Sequence, residues 1–502
     1  MLKYCLTSIF LMFAFSLVLN AELRLPAIFS DHMVLQQEME NPIWGWAKPG
    51  AKVSLNWGKQ DIHTIADKTG RWRAKLPATI GSYQQQQLVI KSANQTLQLS
   101  DILVGEVWLC SGQSNMVWRV DFSADSALET ASAQYPNIRM ITVPNVGTQE
   151  LQHDFKGQWQ ICTPETVGTF SAVGYFFGRQ LHQTLNVPIG LIRNAWGGSA
   201  AEAWIGRQTL AADPRFETEI KWWTSQEKTF NYPQLLSKWE VASANLKKAG
   251  KRIPQRPRNI LTGQHRPGNL WAGVLNPIIG YGIRGTIWYQ GESNVTRAPK
   301  YHELFSLLIA QWRQAWGQGD FPFYWVQLAD YQAEATVPGN SKWAELREAQ
   351  SKTLALPNTG QAVIYDIGEG RDIHPRNKQT VAKRLARIAL ARDYKLNIPY
   401  LSPSFNSIQI SNEQITIHFK NVGSSLYTFD VNEAKGFAIA GEDQIWHIAK
   451  ASLQGKDKVI VSSPKVTNPV AVRYAWANNP VANLYSREGL PVDPFRSDNW
   501  PQ

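Results

Sequence analysis

The sequence predicts an α/β protein built on a parallel sheet covered on both faces, with all-β regions at both ends. Three observations carry this reading. From about residue 101 to 398, strand-like apolar runs alternate with helix-period segments. Before and after that stretch, short apolar runs are separated by turn residues. The chain has 502 residues, 43% hydrophobic and 18% charged, which suits a folded globular protein of two or three domains.

The first 21 residues, MLKYCLTSIFLMFAFSLVLNA, place Lys3 ahead of an apolar run that ends at Val18, with small Ala21 before Glu22. The run is shorter than the ~20 residues of a spanning helix, so it reads as a cleaved secretory signal, with an uncleaved anchor as the alternative. The mature chain is then expected to be exported, periplasmic or extracellular, with no membrane contact once the signal is removed.

Residues 22–100 read as a small β-sandwich. Val53–Trp57 and Gln87–Ile90 are apolar runs, and Pro49-Gly50, Lys68-Thr69-Gly70 and Ile80-Gly81-Ser82 are turn signals.

The α/β region, 101–398, opens with a strand at Val107–Cys110. A helix over 172–183 follows, with Val173, Phe176, Phe177 and Leu181 on one side, then the strand Ile189–Ile192. After a polar, Trp-rich insertion at about 210–270 come the strand Gly285–Tyr289, a helix at 299–315 and the strand Phe323–Leu328. A helix at 343–356 and the strand Ala362–Tyr365 complete the series. The last helix starts just after His374-Pro375, with Val381, Leu385, Ile388 and Ala389 as its apolar stripe. From 399 to 502 the chain returns to strands, Ser407–Ile410, Gln414–Phe419 and Val459–Val461 among them.

The net charge of +11, from 51 basic and 40 acidic residues, is spread along the chain and densest near 247–258 and 376–392. Neither cluster sits among the aromatics of a nucleic-acid reader, so no nucleic-acid partner is expected. Most of the 21 tryptophans are expected in the core, although such rings also serve against sugar faces. Of three cysteines, Cys5 belongs to the signal; Cys110 and Cys162 fit either a disulfide or two buried thiols. No Cys or His cluster has ligand spacing, so neither metal nor other cofactor is expected.

Four strand ends finish in polar or glycine-rich loops: Gly112–Met116, Asn194–Ser199, Trp288–Asn294 and Asp366–Pro375. In a doubly wound sheet such loops gather at the strands' carboxyl ends. Together they hold the parts of an acyl-transfer site. Ser114 supplies a hydroxyl, and His374, at a helix N-terminus that favours neutral imidazole, supplies a base. Asp372 is the nearest carboxylate to orient it, with Asp366 behind. The Ser114 amide, a Gly198 amide and the Gln290 side chain fit an oxyanion hole. Asn115, Glu292 and Asn294 are substrate-contacting candidates, with Glu292 and Asp366 as alternative acids. Taken singly, each of these residues has a plainer role in turns, caps or loops; their order along one sheet is what favours chemistry. Met116 stands where G-x-S-x-G has its second glycine, which argues against the nucleophile elbow of the α/β-hydrolases.

"GEVWLCSGQSNM", "GLIRNAWGGSAAEAW", "GTIWYQGESN" and "DIHPRNKQTVAKRLA" resemble blocks of the sialate O-acetylesterases, a branch of the SGNH (GDSL-type) hydrolases. The resemblance runs over most of 24–395 and includes "HRPGNLWAGVLNPI" at 265–278. It implies a flavodoxin-like three-layer α/β/α catalytic domain, without metal, that removes O-acetyl groups from carbohydrate. Ser114 would be the nucleophile, His374 the base, and Ser114, Gly198 and Gln290 the oxyanion hole.

The chain departs from the wider pattern twice. Asp372 precedes His374 by two residues rather than three, which requires a bent loop, and Gln290 stands where wider relatives have asparagine. Members of such families also act on acetylated plant polysaccharides such as xylan or xyloglucan. The expected function is a secreted serine carbohydrate O-acetylesterase. Its rivals are a non-catalytic glycan-binding protein, an acyl transferase using the same triad, and a glycosidase, which would need two facing carboxylates about 5–10 Å apart.

Overall fold

The computed structural model describes residues 22–335 and 337–501. The segment read as a secretory signal, 1–21, lies outside the described residues; among them no helix is long and apolar enough to cross a membrane.

The central sheet contains β1 (Gln95–Gly112), β2 (Tyr135–Thr142), β3 (Gln160–Cys162), β4 (Ile189–Ala195), β5 (Gly285–Tyr289), β6 (Phe323–Val326) and β7 (Thr359–Ala362). Its order is β7-β6-β5-β1-β4-β2-β3. All neighbours are parallel except β3, which lies antiparallel on β2. Setting aside β2 and β3, which widen one edge, this is the flavodoxin-like order 2-1-3-4-5.

Both faces of the sheet are apolar, as a parallel sheet requires. Side chains alternate along each strand, so Val107 and Leu109 enter one layer with Trp288, Phe323 and Trp325. Trp108, Cys110, Ile287 and Tyr324 enter the other. The first layer is closed by α2 (Tyr301–Trp316) and α3 (Lys342–Lys352) through Phe305, Trp312 and Leu346. The second is closed by α1 (Ala172–Leu185) and α4 (Lys378–Arg392) through Val173, Phe177, Leu385 and Ile388. Each large side chain buried this way contributes about 1.5–3 kcal/mol.

Strand β1 is longer than its sequence indicates. Val107–Cys110 stands out as a buried run, yet the strand begins at Gln95 and is continuous through residue 100. Its first half pairs antiparallel with Ser82–Ser92 and parallel with Val34–Gln36, and its second half lies between β4 and β5. One strand therefore joins the N-terminal β-region to the centre of the α/β sheet, and the two share a core that includes Val53, Leu55, Leu88, Leu109 and Trp288.

The N-terminal region adds Lys52–Trp57 to the outer edge of Ser82–Ser92 and Gln60–Ile65 beyond it, and forms a second, two-stranded sheet of Asn41–Trp46 with Arg71–Leu76. At the C-terminus, one four-stranded sheet holds Ser404–Ser411, Gln414–Lys420, Lys458–Ser462 and Lys450–Gln454. A second holds His447–Ile448, Phe437–Ala440, Ala471–Tyr474 and Phe495–Arg496. Their shared core takes in Val363 and Tyr365, just beyond β7.

The insertion is helical, with Glu217–Thr229 and Tyr232–Lys248 as its long elements. Cys110 and Cys162 are separate buried thiols. Burial pushes Cys162 up to about 12 and Cys110 higher still.

Candidate active site

Gly112, the last residue of β1, is in register with Ala195 of β4 and Tyr289 of β5. The loops leaving these three strands therefore start at one level, where the strand order reverses. Gly112 has φ +133°, and a Cβ there would collide with the Tyr289 carbonyl, so the position requires glycine. The Gln113 amide then donates to Tyr289 O at 2.9 Å, and Ser114 opens a single helical turn, Ser114–Val117. At that first position its amide has no intrahelical acceptor.

His374 reaches the serine from the loop after β7, with Nε2 2.9 Å from Ser114 Oγ. Asp372 Oδ1 lies 3.2 Å from His374 Nδ1 and also accepts the His374 backbone amide at 2.9 Å. The bend that allows this is a tight turn in which the Asp372 amide donates to Glu369 O at 2.7 Å. Arg376 braces the turn by donating to both oxygens of Glu369 at 3.0–3.1 Å. On its open face the imidazole is stacked by Trp118, with ring centroids 4.8 Å apart and planes 14° from parallel.

His374 does not sit at the helix N-terminus. Helix α4 starts at Lys378, capped by Asn377, three residues beyond His374. The His374 pKa is lowered, first by desolvation; the Lys378 charge adds to this and Asp372 opposes it. Neutral imidazole is still the favoured form, which suits a proton acceptor. With Nδ1–H given to Asp372, Nε2 is the nitrogen that accepts from the serine hydroxyl.

Beneath the serine lies a buried network. Asn115 Nδ2 donates to Glu292 Oε1 (2.7 Å) and to Ile373 O (3.1 Å), while its Oδ1 accepts from Lys378 Nζ (2.5 Å). Asn115 thus ties the Ser114 turn to the residue before His374. Lys378 is fully buried, and desolvation pushes its ammonium down to about 7. Burial raises the Glu292 carboxyl above the usual range against the pull of Asn115 and Lys378. Asn115 is buried, and Glu292 is half-buried beside it with Oε1 held by Asn115.

Gly198 lies on the β4 loop beside the serine: a Cβ on neighbouring Gly197 would stand 3.6 Å from Ser114 Cβ. Gly198 has φ +69°, and its carbonyl accepts from His265 Nε2 at 2.6 Å. Gln290 is not arranged as an oxyanion donor. It is fully buried, and Nε2 gives its two hydrogens to Ser199 O (3.0 Å) and Asn294 Oδ1 (2.8 Å) while Oε1 accepts from Tyr301 OH (2.8 Å). Asn294 is equally committed, donating to Glu202 Oε2 and accepting from Gln290 and the Ala201 amide.

Asp366 is no alternative acid. Both its oxygens bind the Arg384 guanidinium at 2.6 Å, and Tyr485 adds a third bond. This bidentate pair is almost fully buried and turned toward the C-terminal region.

Sequence reasoning did not single out three contributors. Trp118 is signalled only by an aromatic ring four residues after the serine, and Lys378 resembles any solvated charge at a helix start. Gln113 is 3% exposed, with Oε1 accepting from the Gly291 and Ser293 amides at 3.5 and 3.4 Å. The assembled parts, a hydroxyl, a neutral base within reach and a carboxylate behind it, form a nucleophile–base pair suited to acyl transfer.

A family model described as "Carbohydrate esterase, sialic acid-specific acetylesterase" matches residues 104–249 and 274–390, more than half of the chain. The sialate O-acetylesterase of Mus musculus is 30% identical over 523 residues, covering 94% of each protein. That of Homo sapiens is 30% identical over 77% of this chain and 74% of its own. A solved carbohydrate acetylesterase from Xanthomonas citri superposes with a TM-score of 0.82 at 36% identity, covering 95% of this chain and all of the other. The chain belongs to the sialic acid-specific acetylesterase family of carbohydrate esterases and is a carboxylic ester hydrolase.

Proposed function

We propose that the chain is an exported serine O-acetylesterase that hydrolyses acetyl esters on carbohydrate through an acetyl-serine intermediate. The observation that carries this reading is the 2.9 Å contact between His374 Nε2 and Ser114 Oγ at the switch point of the sheet. His374 Nε2 takes the hydroxyl proton as Oγ bonds to the acetyl carbon. The carbonyl oxygen becomes an oxyanion, for which the Ser114 and Gly198 amides and the Gln113 side-chain amide are the donors. The bond between the acetyl carbon and the sugar oxygen then breaks, and the proton on Nε2 passes to that sugar oxygen. A water gives one proton to Nε2 as its oxygen attacks acetyl-serine; the bond to Oγ breaks, Oγ recovers the proton from Nε2, and acetic acid departs and ionises in solution.

The test is hydrolysis of 4-nitrophenyl acetate. Ser114→Ala is expected to lower kcat by about 10⁴–10⁶. Acid quenching of the native enzyme during turnover should leave acetyl on the Ser114 peptide, detectable by mass. An unchanged rate in Ser114→Ala would sink the assignment. Export, supported by the apolar run before Ala21, is tested by fractionating cells that express the full chain.

A further inference from the structure

The helix Glu217–Thr229 brings two adjacent tryptophans to the rim of the active site. A cavity of about 420 Å³ opens there, walled by Glu219, Trp222, Trp223, His265, Ser293 and Arg297 among others. Two of these residues also build the serine site. His265 holds the Gly198 carbonyl, and the Ser293 amide holds Gln113 Oε1. The cavity therefore adjoins the place where the acetyl group would react.

Its apolar wall is Trp222, which is 54% exposed, while Trp223 beneath it is buried and meets it edge-on at 5.1 Å. The buried ring anchors the helix, and the exposed ring is left as a flat apolar platform. Such a platform fits the C–H face of a pyranose, whose hydroxyls point outward from the stacked rings.

The charges in the wall indicate which pyranose. Arg297 Nε donates to Glu202 Oε1 at 3.0 Å, and Glu202 Oε2 is held by Asn294. Glu219 Oε1 is paired with Lys300 Nζ at 2.8 Å. The cavity lining carries two carboxylates, Glu202 and Glu219, and one guanidinium, Arg297, which already faces Glu202. That balance disfavours a carboxylate on the ligand and suits a sugar that carries only hydroxyls.

We propose that this cavity is a subsite for a neutral pyranose of an O-acetylated glycan, stacked on Trp222 while the acetyl group of the same chain lies at Ser114. This rests on the reading of Ser114 as nucleophile.

The experiment compares kcat/KM on acetylated xylo- and xyloglucan oligosaccharides, on 9-O-acetylated sialic acid and on 4-nitrophenyl acetate, for the native enzyme, Trp222→Ala and Trp222→Phe. The native enzyme should favour a neutral oligosaccharide over the sialic acid. In Trp222→Ala the ratio of oligosaccharide to 4-nitrophenyl acetate activity should fall about 10- to 100-fold, mainly through KM, and Trp222→Phe should restore most of it. A native preference for the sialic acid, an unchanged ratio in Trp222→Ala, or no turnover of either neutral oligosaccharide while 4-nitrophenyl acetate is cleaved would each overturn the subsite. Those outcomes leave the nucleophile standing, because Ser114→Ala tests it separately on 4-nitrophenyl acetate.

Discussion

Asp372 touches His374 twice with one oxygen: Oδ1 accepts the His374 amide at 2.9 Å and lies 3.2 Å from its Nδ1. A carboxylate two residues before a histidine reaches the ring this way because its own side chain closes the turn. The carboxylate side chain is 50% exposed, against 26% for the imidazole. Water screens its effect on the imidazolium, so orientation is its larger contribution. Asp372→Ala is expected to lower kcat about 10- to 100-fold, far less than Ser114→Ala, with little change in KM. A loss as large as that of Ser114→Ala in steady-state kinetics would show that this carboxylate carries charge stabilisation as well.

The pH profile follows from His374 and its neighbours. Its pKa lies below the usual ~6.5, so the active neutral base should persist into mildly acidic solution, with kcat/KM falling as pH drops through the lowered value. Lys378 is a cation in that acidic range and helps to lower the value. Removing the charge in Lys378→Met lets the imidazole hold its proton more tightly, so the acid limb should move to higher pH. Measuring kcat/KM from pH 4 to 9 checks this; a limb that stays in place, or moves down, contradicts it.

Gln290 separates a structural role from an electrostatic one. In Gln290→Ala the Ser199 carbonyl loses its side-chain donor, and Asn294 Oδ1 and the Tyr301 hydroxyl each lose one of two buried partners. The expected cost is about 2–4 kcal/mol of stability, read as a lower Tm or denaturant midpoint. Per folded molecule, kcat should fall less than about tenfold, whereas loss of an oxyanion donor costs roughly 10²–10³. A variant as stable as the native enzyme with kcat down a hundredfold would return Gln290 to the oxyanion hole.

What the sequence made legible here was periodic or local. The alternation of strands and helices, the Ser114 turn and His374 ahead of the last helix can all be read along the chain. Strand β1 could not be followed back to Gln95, because residues 95–101 are mostly half-exposed and polar and resemble a separate edge strand. The insertion helices were missed because only Trp223 and Ser243 of their residues are buried, which leaves no wide apolar stripe to recognise. The roles of Gln290 and Asp366 depended on partners that sequence order does not supply, such as Ser199, Arg384 and Tyr485. An amide in a catalytic-looking loop has the same letters whether its hydrogens face a ligand or the protein.

Trp118 offers the last test of how the base is held. Its indole lies flat on His374 and donates Nε1–H to Phe122 O at 2.9 Å, so the ring is fixed independently of the histidine. It keeps water off one face of the imidazole and bars the ring from turning away from Ser114. Trp118→Ala should therefore do two things together. The acid limb of kcat/KM should rise toward the ordinary imidazole range as water returns, and kcat should fall about tenfold as the base samples other orientations. Trp118→Phe keeps a flat apolar face and should recover most of both effects. Loss of rate without movement of the limb would mean that the indole positions the ring but does not desolvate it, and an unmoved rate would remove Trp118 from the site.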